Sequence, residues 1–341
     1  MLSVEYAPHN VYCYSLDRKA DKKFKERIRA LSRCFSKNVF VSDEEYNVYS
    51  SGKNVSRSHL SCLEKLNKRK EDWKYVVLLQ NHDLPLRTNA ELVRIFKAYN
   101  GTNDIATKNI VPNTVVKSLD WSLKGLRLYR NGKAGPDCLW LGLIASLGLI
   151  VCTRSCQSSD YSNYAYLPNI KQLNHTKSLN LIVLSRAAVN FTLKQLNIYP
   201  FIDQLEKSRY GMDEVLYSTL NSNLPDFPGG FTLDCLKYQN KIVNSMGSDY
   251  LRHDVCVYGV EDLPHIGRAI LHFYLNKMMP SFDYGAIFCW LSTLAARRLS
   301  REIDINEKYY QQLPHVRYNN LKYSNQLHNN NVSNEEHPFK C

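Results

Sequence analysis

Two periods of apolar residues alternate along the first part of the chain. Residues 10–16 (NVYCYSL), 38–41 (NVFV) and 74–79 (KYVVLL) are short, β-prone apolar runs. Between them, residues 21–35 place Phe24, Ile28, Leu31 and Cys34 at helical spacing. Residues 56–70 then set Leu60, Leu63 and Leu66 on one side of a second helix. Strand-like and helix-like spacings that take turns in this way mark strand–helix units. After the third run, Asp83-Leu84-Pro85 breaks the chain. Thr88 and Glu91 form a capping box that starts a helix through Val93, Ile95 and Phe96. The rhythm predicts an α/β fold with a mostly parallel central sheet flanked by helices. Ligands of such sheets bind beyond the carboxyl ends of the strands, so Asp17, residues 42–49 and residues 81–83 are expected beside the cleft.

The pattern lapses at residues 132–177, which read as irregular and hold the apolar run 138–152 (CLWLGLIASLGLIVC). That run is shorter than the roughly 20 residues a membrane-spanning helix needs, and reads as a buried strand or helix. Order resumes at 179–185 (LNLIVLS), a strand running into a helix at Arg186. Another helix follows Gly211, a strand covers 255–258, and helices cover 264–276 and 284–301. From Pro314 the chain is polar and Asn-rich. Residues 1–312 are therefore expected as one domain and 313–341 as a disordered tail.

Composition narrows the function classes. Of the 341 residues, 44% are hydrophobic and 22% charged, which is globular and excludes disorder for the bulk of the chain. The formal charge of +12 suits an anionic partner, but the basic residues are scattered and accompany no nucleic-acid-binding motif. Ten cysteines occur without a Cys-x-x-Cys pair, which argues against structural zinc and for disulfides in an oxidising lumen. Sequons at Asn54, Asn100, Asn174, Asn190 and Asn331 point to the same secretory route. Residues 1–10 carry no signal architecture, so the sequence reads as an N-terminally incomplete product.

Six segments, in order, then resemble one family. They are NVYCYSLDRKA from Asn10, NVFV with the later VYSS, WKYVVLLQNHDLPLRTN from Trp73, GMDEVLYSTL from Gly211, VCVYGVEDL from Val255 and LNKMMPSFDYGAIFC from Leu275. Together they are similar to the core-2/I-branching β-1,6-N-acetylglucosaminyltransferases. The resemblance implies a GT-A-like fold and an inverting transfer from a UDP-sugar, with GlcNAc the expected sugar, to a hydroxyl of an O-glycan or glycoprotein acceptor. It implies no metal or other cofactor. It also implies a lumenal Golgi membrane protein whose N-terminal anchor would precede this sequence. A related transferase using UDP-xylose or UDP-glucose, and a non-catalytic glycan-binding relative, are the alternatives.

Inverting transfer needs a carboxylate to take the acceptor's proton. Glu214, in GMDE, matches the family's catalytic Glu; from the residues alone, Asp213 and Glu214 equally well complement a helix N-terminus. The chain has no Asp-x-Asp motif, so side-chain cations are expected to neutralise the departing UDP. Lys277 matches the family's Lys, and Arg252 stands for its Arg with a one-residue shift. Asp17 and Tyr49 match uridine-contacting positions, though they read equally as a helix-start acid and a half-buried aromatic. The resemblance pairs Cys13 with Cys62, places the partners of Cys34 and Cys289 upstream, and leaves Cys235 as a substitute partner for Cys256. The acceptor positions depart from the family: they appear here as Ala106, Asp120, Tyr238 and Asn240.

Overall fold

The computed structural model describes residues 10–109, 114–130, 172–232, 235, 250–252, 255–266, 273–300 and 305–328. The chain opens with β1 (Tyr12–Tyr14), α1 (Lys22–Cys34), β2 (Val39–Val41), α2 (Val55–Lys68) and β3 (Tyr75–Leu78). β1 and β2 run parallel, with Tyr12 opposite Val39 and Tyr14 opposite Val41. Asp21 starts α1 by accepting from the Phe24 N–H, satisfying one of the helix's orphan donors. A disulfide between Cys13 and Cys62 ties β1 to α2, the Cα atoms 5.7 Å apart.

β4 (Leu84–Pro85) leads into α3 (Asn89–Tyr99), which begins at the Thr88–Glu91 capping box. β5 (Lys108–Asn109), β6 (Thr176–Lys177), β7 (Ile182–Ser185), α4 (Arg186–Lys194), α5 (Ile198–Leu205) and α6 (Leu216–Asn223) follow. The remaining elements are β8 (Leu251–Arg252), β9 (Val255–Cys256), α7 (Leu263–Ile266), β10 (Tyr274–Leu275), α8 (Tyr284–Ser300), α9 (Glu307–Gln311) and α10 (Pro314–His328).

β7 is the middle of the core and is buried along its whole length. It pairs antiparallel with β3, Tyr75 opposite Ser185, and bridges to Asp104 through Val183. Alternation along the strand separates two layers. Ile182 and Leu184 join Leu60 and Leu63 of α2, Val189 of α4, Phe201 of α5 and Leu220 of α6. Val183 joins Ile95 and Tyr99 of α3, Tyr310 of α9 and Val316 of α10. A separate cluster seats α8 on the β4–β10 pair through Leu84, Met278, Ile287 and Trp290. There the Trp290 Nε1–H donates to the Pro85 carbonyl at 2.7 Å.

Helices on both faces of strands make this a mixed α/β fold, but the pairing departs from a mostly parallel sheet. Among the described residues the strands form five two-stranded pairs, and only β1–β2 is parallel. A run such as KYVVLL is apolar on both faces and fits a buried strand in either direction, so its pattern does not fix its partner. The helix expected over 264–276 is shorter: among the described residues it covers Leu263–Ile266, and Tyr274–Leu275 is β10, antiparallel to β4. Long-range pairing of these β-prone residues overrides the local helical spacing. The expected disordered tail is also corrected, because its Pro314–His328 portion is α10. His315, Val316 and Asn319 are buried there, with the His315 ring 5.4 Å from that of Tyr99, so the polar segment has an inward face. Residues 138–152 and 329–341 lie outside the described residues. Among the described residues no helix is long and apolar enough to cross a membrane.

Candidate active site

Gly211 adopts a φ of 73°, a left-handed conformation open to glycine, and its N–H donates to the Ser51 carbonyl at 2.7 Å. The chain then makes a single 3-10 turn, Met212–Glu214, and passes through Val215 into α6. Glu214 therefore precedes the α-helix instead of lying in its first turn. Its backbone carbonyl accepts from the Ser178 N–H at 2.7 Å and the Ser178 Oγ at 3.1 Å. Its carboxylate Oε2 lies 2.7 Å from the Lys177 ammonium. Asp213 points elsewhere, as adjacent positions on a turn do. A Cβ at Gly52 would stand 2.2 Å from Asp213 Oδ1, so the close approach requires glycine there. Burial and then the Glu214 charge push Asp213 up to about 6, against the pull of backbone N–H groups and Lys177.

Asp17 and Tyr49 are brought together beyond the carboxyl end of β1. Asp17 Oδ1 accepts from the backbone N–H of Lys19 at 2.9 Å and of Val48 at 3.3 Å, while Asp17 bridges parallel to Tyr46. The Lys19 ammonium sits 4.1 Å from the centre of the Tyr49 ring and donates to the Val48 carbonyl at 2.6 Å. Tyr49 stays 47% exposed, free to cover a planar ligand. Tyr49 opens a turn in which the Gly52 N–H donates to its carbonyl at 2.9 Å. Ser51 and Gly52 of that turn touch Gly211 and Asp213. The Asp17–Tyr49 group and Glu214 are therefore neighbours through two residues.

Lys277 and Arg252 form the third part. The Lys277 ammonium donates to the Arg252 carbonyl at 3.1 Å, and the exposed Arg252 guanidinium lies 3.5 Å from Met279 Sδ. Residues 80–83 clasp this segment from behind: the Met278 N–H donates to the His82 carbonyl at 3.0 Å. Asp83 is buried and accepts from the Gln80 N–H at 2.6 Å and from the Asn276 side-chain amide. Burial raises Asp83 to about 6, against Gln80, Asn276 and the Lys277 charge. Burial and the Arg252 charge lower Lys277, while the carboxylates of Asp83 and Glu214 act the other way. His82 is lowered by burial and by the charges of Arg252 and Lys277. The Glu214 charge thus acts on Lys277, after burial, Arg252 and Asp83.

Two cations at this site carry no sequence signal of their own. Lys19 is one of many exposed lysines, and Lys177 ends the stretch that reads as irregular. Of the positions that depart from the family, Ala106 is exposed, and Asp120 closes a local turn by accepting from the Ser122 N–H at 2.9 Å. Tyr238 and Asn240 lie outside the described residues.

The sequons fall in different settings. Asn174 is exposed, and its backbone N–H donates to Asn223 Oδ1 at 2.7 Å. The Asn54 amide donates to the Asn47 carbonyl at 2.8 Å, and the Asn100 amide to Asn320 Oδ1 at 2.9 Å. Asn190 is half-buried in α4, and Asn331 lies outside the described residues. Cys34, Cys256 and Cys289 are free thiols. Cys235 is disulfide-bonded. Its partner is therefore not Cys256, and the substitute pairing is corrected.

The chain is similar to known proteins over most of its length. Over 310 residues the chain is 27% identical to a β-1,3-galactosyl-O-glycosyl-glycoprotein β-1,6-N-acetylglucosaminyltransferase of Bos taurus, a match covering 85% of this chain and 64% of that protein. It is 33% identical over 313 residues to the Homo sapiens protein of that name numbered 3, covering 85% of this chain and 63% of the relative. It is 26% identical over 266 residues to the Homo sapiens N-acetyllactosaminide β-1,6-N-acetylglucosaminyl-transferase, covering 76% and 59%. The chain thus spans less than two thirds of the length of these relatives. The family model described as Core-2/I-Branching enzyme matches residues 1–267, and the chain belongs to that family.

Proposed function

We propose that the chain is an inverting, metal-independent glycosyltransferase that moves GlcNAc from UDP-GlcNAc to a hydroxyl of an O-glycan. Glu214 takes the acceptor's proton as its oxygen attacks the anomeric carbon. The bond from that carbon to the phosphate oxygen breaks, and its electron pair leaves on UDP. Arg252 and Lys277 stabilise the charge that develops on the diphosphate. Asp17 holds the uridine and Tyr49 packs on it. The observation that supports this reading best is the convergence of three segments. The Glu214 turn abuts the Tyr49 turn, and the Glu214 charge reaches Lys277. The relatives' names supply the sugar and the acceptor class.

The same reading makes the β1–β2 pair the nucleotide end of a GT-A-like fold. It places the protein on the lumenal side of the Golgi membrane, with Asn54, Asn100, Asn174, Asn190 and Asn331 as N-glycosylation acceptors. Asn100 and Asn174 are the exposed ones of the described four. Nucleic acid is not a partner.

The test is UDP release from UDP-GlcNAc with a β-1,3-galactosyl O-glycopeptide, in EDTA. The wild type should turn over without added metal. Glu214→Gln should lower kcat/KM by about 10²–10⁴-fold, the range for a general base. Arg252→Ala and Lys277→Met should each cost about 10²–10³-fold, as removed charge-stabilising donors do. Strict dependence on manganese would overturn the metal-free step, and full activity of Glu214→Gln the base.

A further inference from the structure

We infer that Lys177 is a positioning residue for the transfer: it holds one oxygen of Glu214 so that the other is presented to the acceptor hydroxyl. The inference rests on Glu214 being the base.

Lys177 Nζ lies 2.7 Å from Glu214 Oε2, with the two side chains 24% and 19% exposed. Oε2 itself is hidden from solvent and makes no hydrogen bond, so among the described residues it is held by the Lys177 charge alone. The exposure of the Glu214 side chain therefore belongs to its other atoms, and Oε1 has no hydrogen-bond partner among the described residues. One oxygen is committed and the other is available.

The backbone fixes this division. Lys177 is the second residue of β6, and both its neighbours are fastened to the Glu214 segment. The Thr176 N–H donates to Thr219 Oγ1 at 3.1 Å, and the Thr176 hydroxyl meets that of Ser218 at 2.7 Å. On the other side the Ser178 N–H donates to the Glu214 carbonyl at 2.7 Å. Two segments locked on both sides of a charge pair carry it without ordering long side chains anew, which is the main cost of an exposed pair. Gly211 borders the pair: a Cβ there would be in ordinary contact with it, 3.4 Å from Lys177 Nζ and 3.5 Å from Glu214 Oε2.

In the transfer, the acceptor's proton moves to Glu214 Oε1. The new oxygen–carbon bond forms, and the carbon–phosphate oxygen bond breaks with its pair going to UDP. Lys177 keeps its own protons throughout. The charged groups facing Glu214 are Lys177 from β6, Asp213 beside it, and Lys277 after β10, with Arg252 next to Lys277. Removing the Lys177 ammonium leaves a carboxylate that is free to turn away from the acceptor.

The experiment measures kcat and UDP-sugar KM for wild type, Lys177→Met, Lys177→Arg and Glu214→Gln, with melting temperatures alongside. Lys177→Met should lower kcat by about 10- to 100-fold, the scale for a misplaced reacting group. Its donor KM should stay near that of the wild type. Lys177→Arg should restore most of kcat. A raised donor KM with kcat kept would overturn the inference in favour of donor binding. Unchanged parameters in Lys177→Met beside an inactive Glu214→Gln would overturn this inference alone. A fully active Glu214→Gln would overturn the base and the inference together. If Lys177→Met does not fold, Lys177→Gln gives the same readings with a donor kept and the charge removed.

Discussion

At the scale of single residues, Asp213 shows how the site is held at a cost in stability. It is buried against Gly52 and sits beside the Glu214 charge, and its folded-state pKa is raised from the usual 3.8 to about 6. Between those values the folded protein binds a proton that the unfolded chain does not. Stability therefore falls as pH rises through this window, by on the order of 2–3 kcal/mol from this group. Asp213→Asn is neutral throughout and removes the fall. Urea denaturation should find the variant similar to wild type near pH 4 and more stable near pH 7; equal pH slopes in the two proteins would contradict the assignment. Sequence reading offers Glu214, Arg252, Lys277, Asp17 and Tyr49 as candidates through residue-by-residue resemblance. It does not reach Lys177, because the contact depends on β6 being laid beside the 3-10 turn Met212–Glu214. No local spacing records that.

Elements are held by devices of two kinds, and only one is written locally. Thr88 and Glu91 stand three apart, a spacing that marks a cap in the sequence itself; the Glu91 N–H and the Thr88 N–H are each satisfied by the other residue's side chain. The same Glu91 carboxylate, 1% exposed, also meets Arg297 of α8. That contact joins two helices far apart in sequence and has no local signature. The two devices should differ in strength. Thr88→Ala loses one cap and should cost about 1 kcal/mol. Arg297→Met strands a buried carboxylate, and should cost near the lower end of the roughly 3–5 kcal/mol seen for broken buried pairs, since Arg297 keeps some solvent. Guanidinium unfolding of the two variants would rank them. A Thr88→Ala protein less stable than Arg297→Met would show that the α3–α8 contact is not a stabilising joint.

For the molecule as a whole, the order of strands and helices is legible while their pairing is not. The runs at 10–16, 38–41 and 74–79 became β1, β2 and β3, but β3 lies antiparallel to β7, more than a hundred residues downstream. The same gap separates cysteine content from cysteine pairing, since ten cysteines permit a great many connectivities. The Cys13–Cys62 bond, implied by family resemblance alone, closes a loop across 49 positions that contains α1 and β2. Closing a loop of that length removes about 4 kcal/mol of unfolded-state freedom in the chain-entropy account. It also fixes β1, whose carboxyl end carries Asp17, against the α2 layer. Cys13→Ala with Cys62→Ala should therefore lower stability by a few kcal/mol and raise the KM for the UDP-sugar more than it lowers kcat. Cys34 and Cys289 are free and exposed, and replacing either by Ser should change stability by no more than about 0.5 kcal/mol. Thermal melts and donor saturation curves for the double and single variants decide it. A double variant as stable as wild type would mean that β1 is held by its parallel pairing with β2 alone.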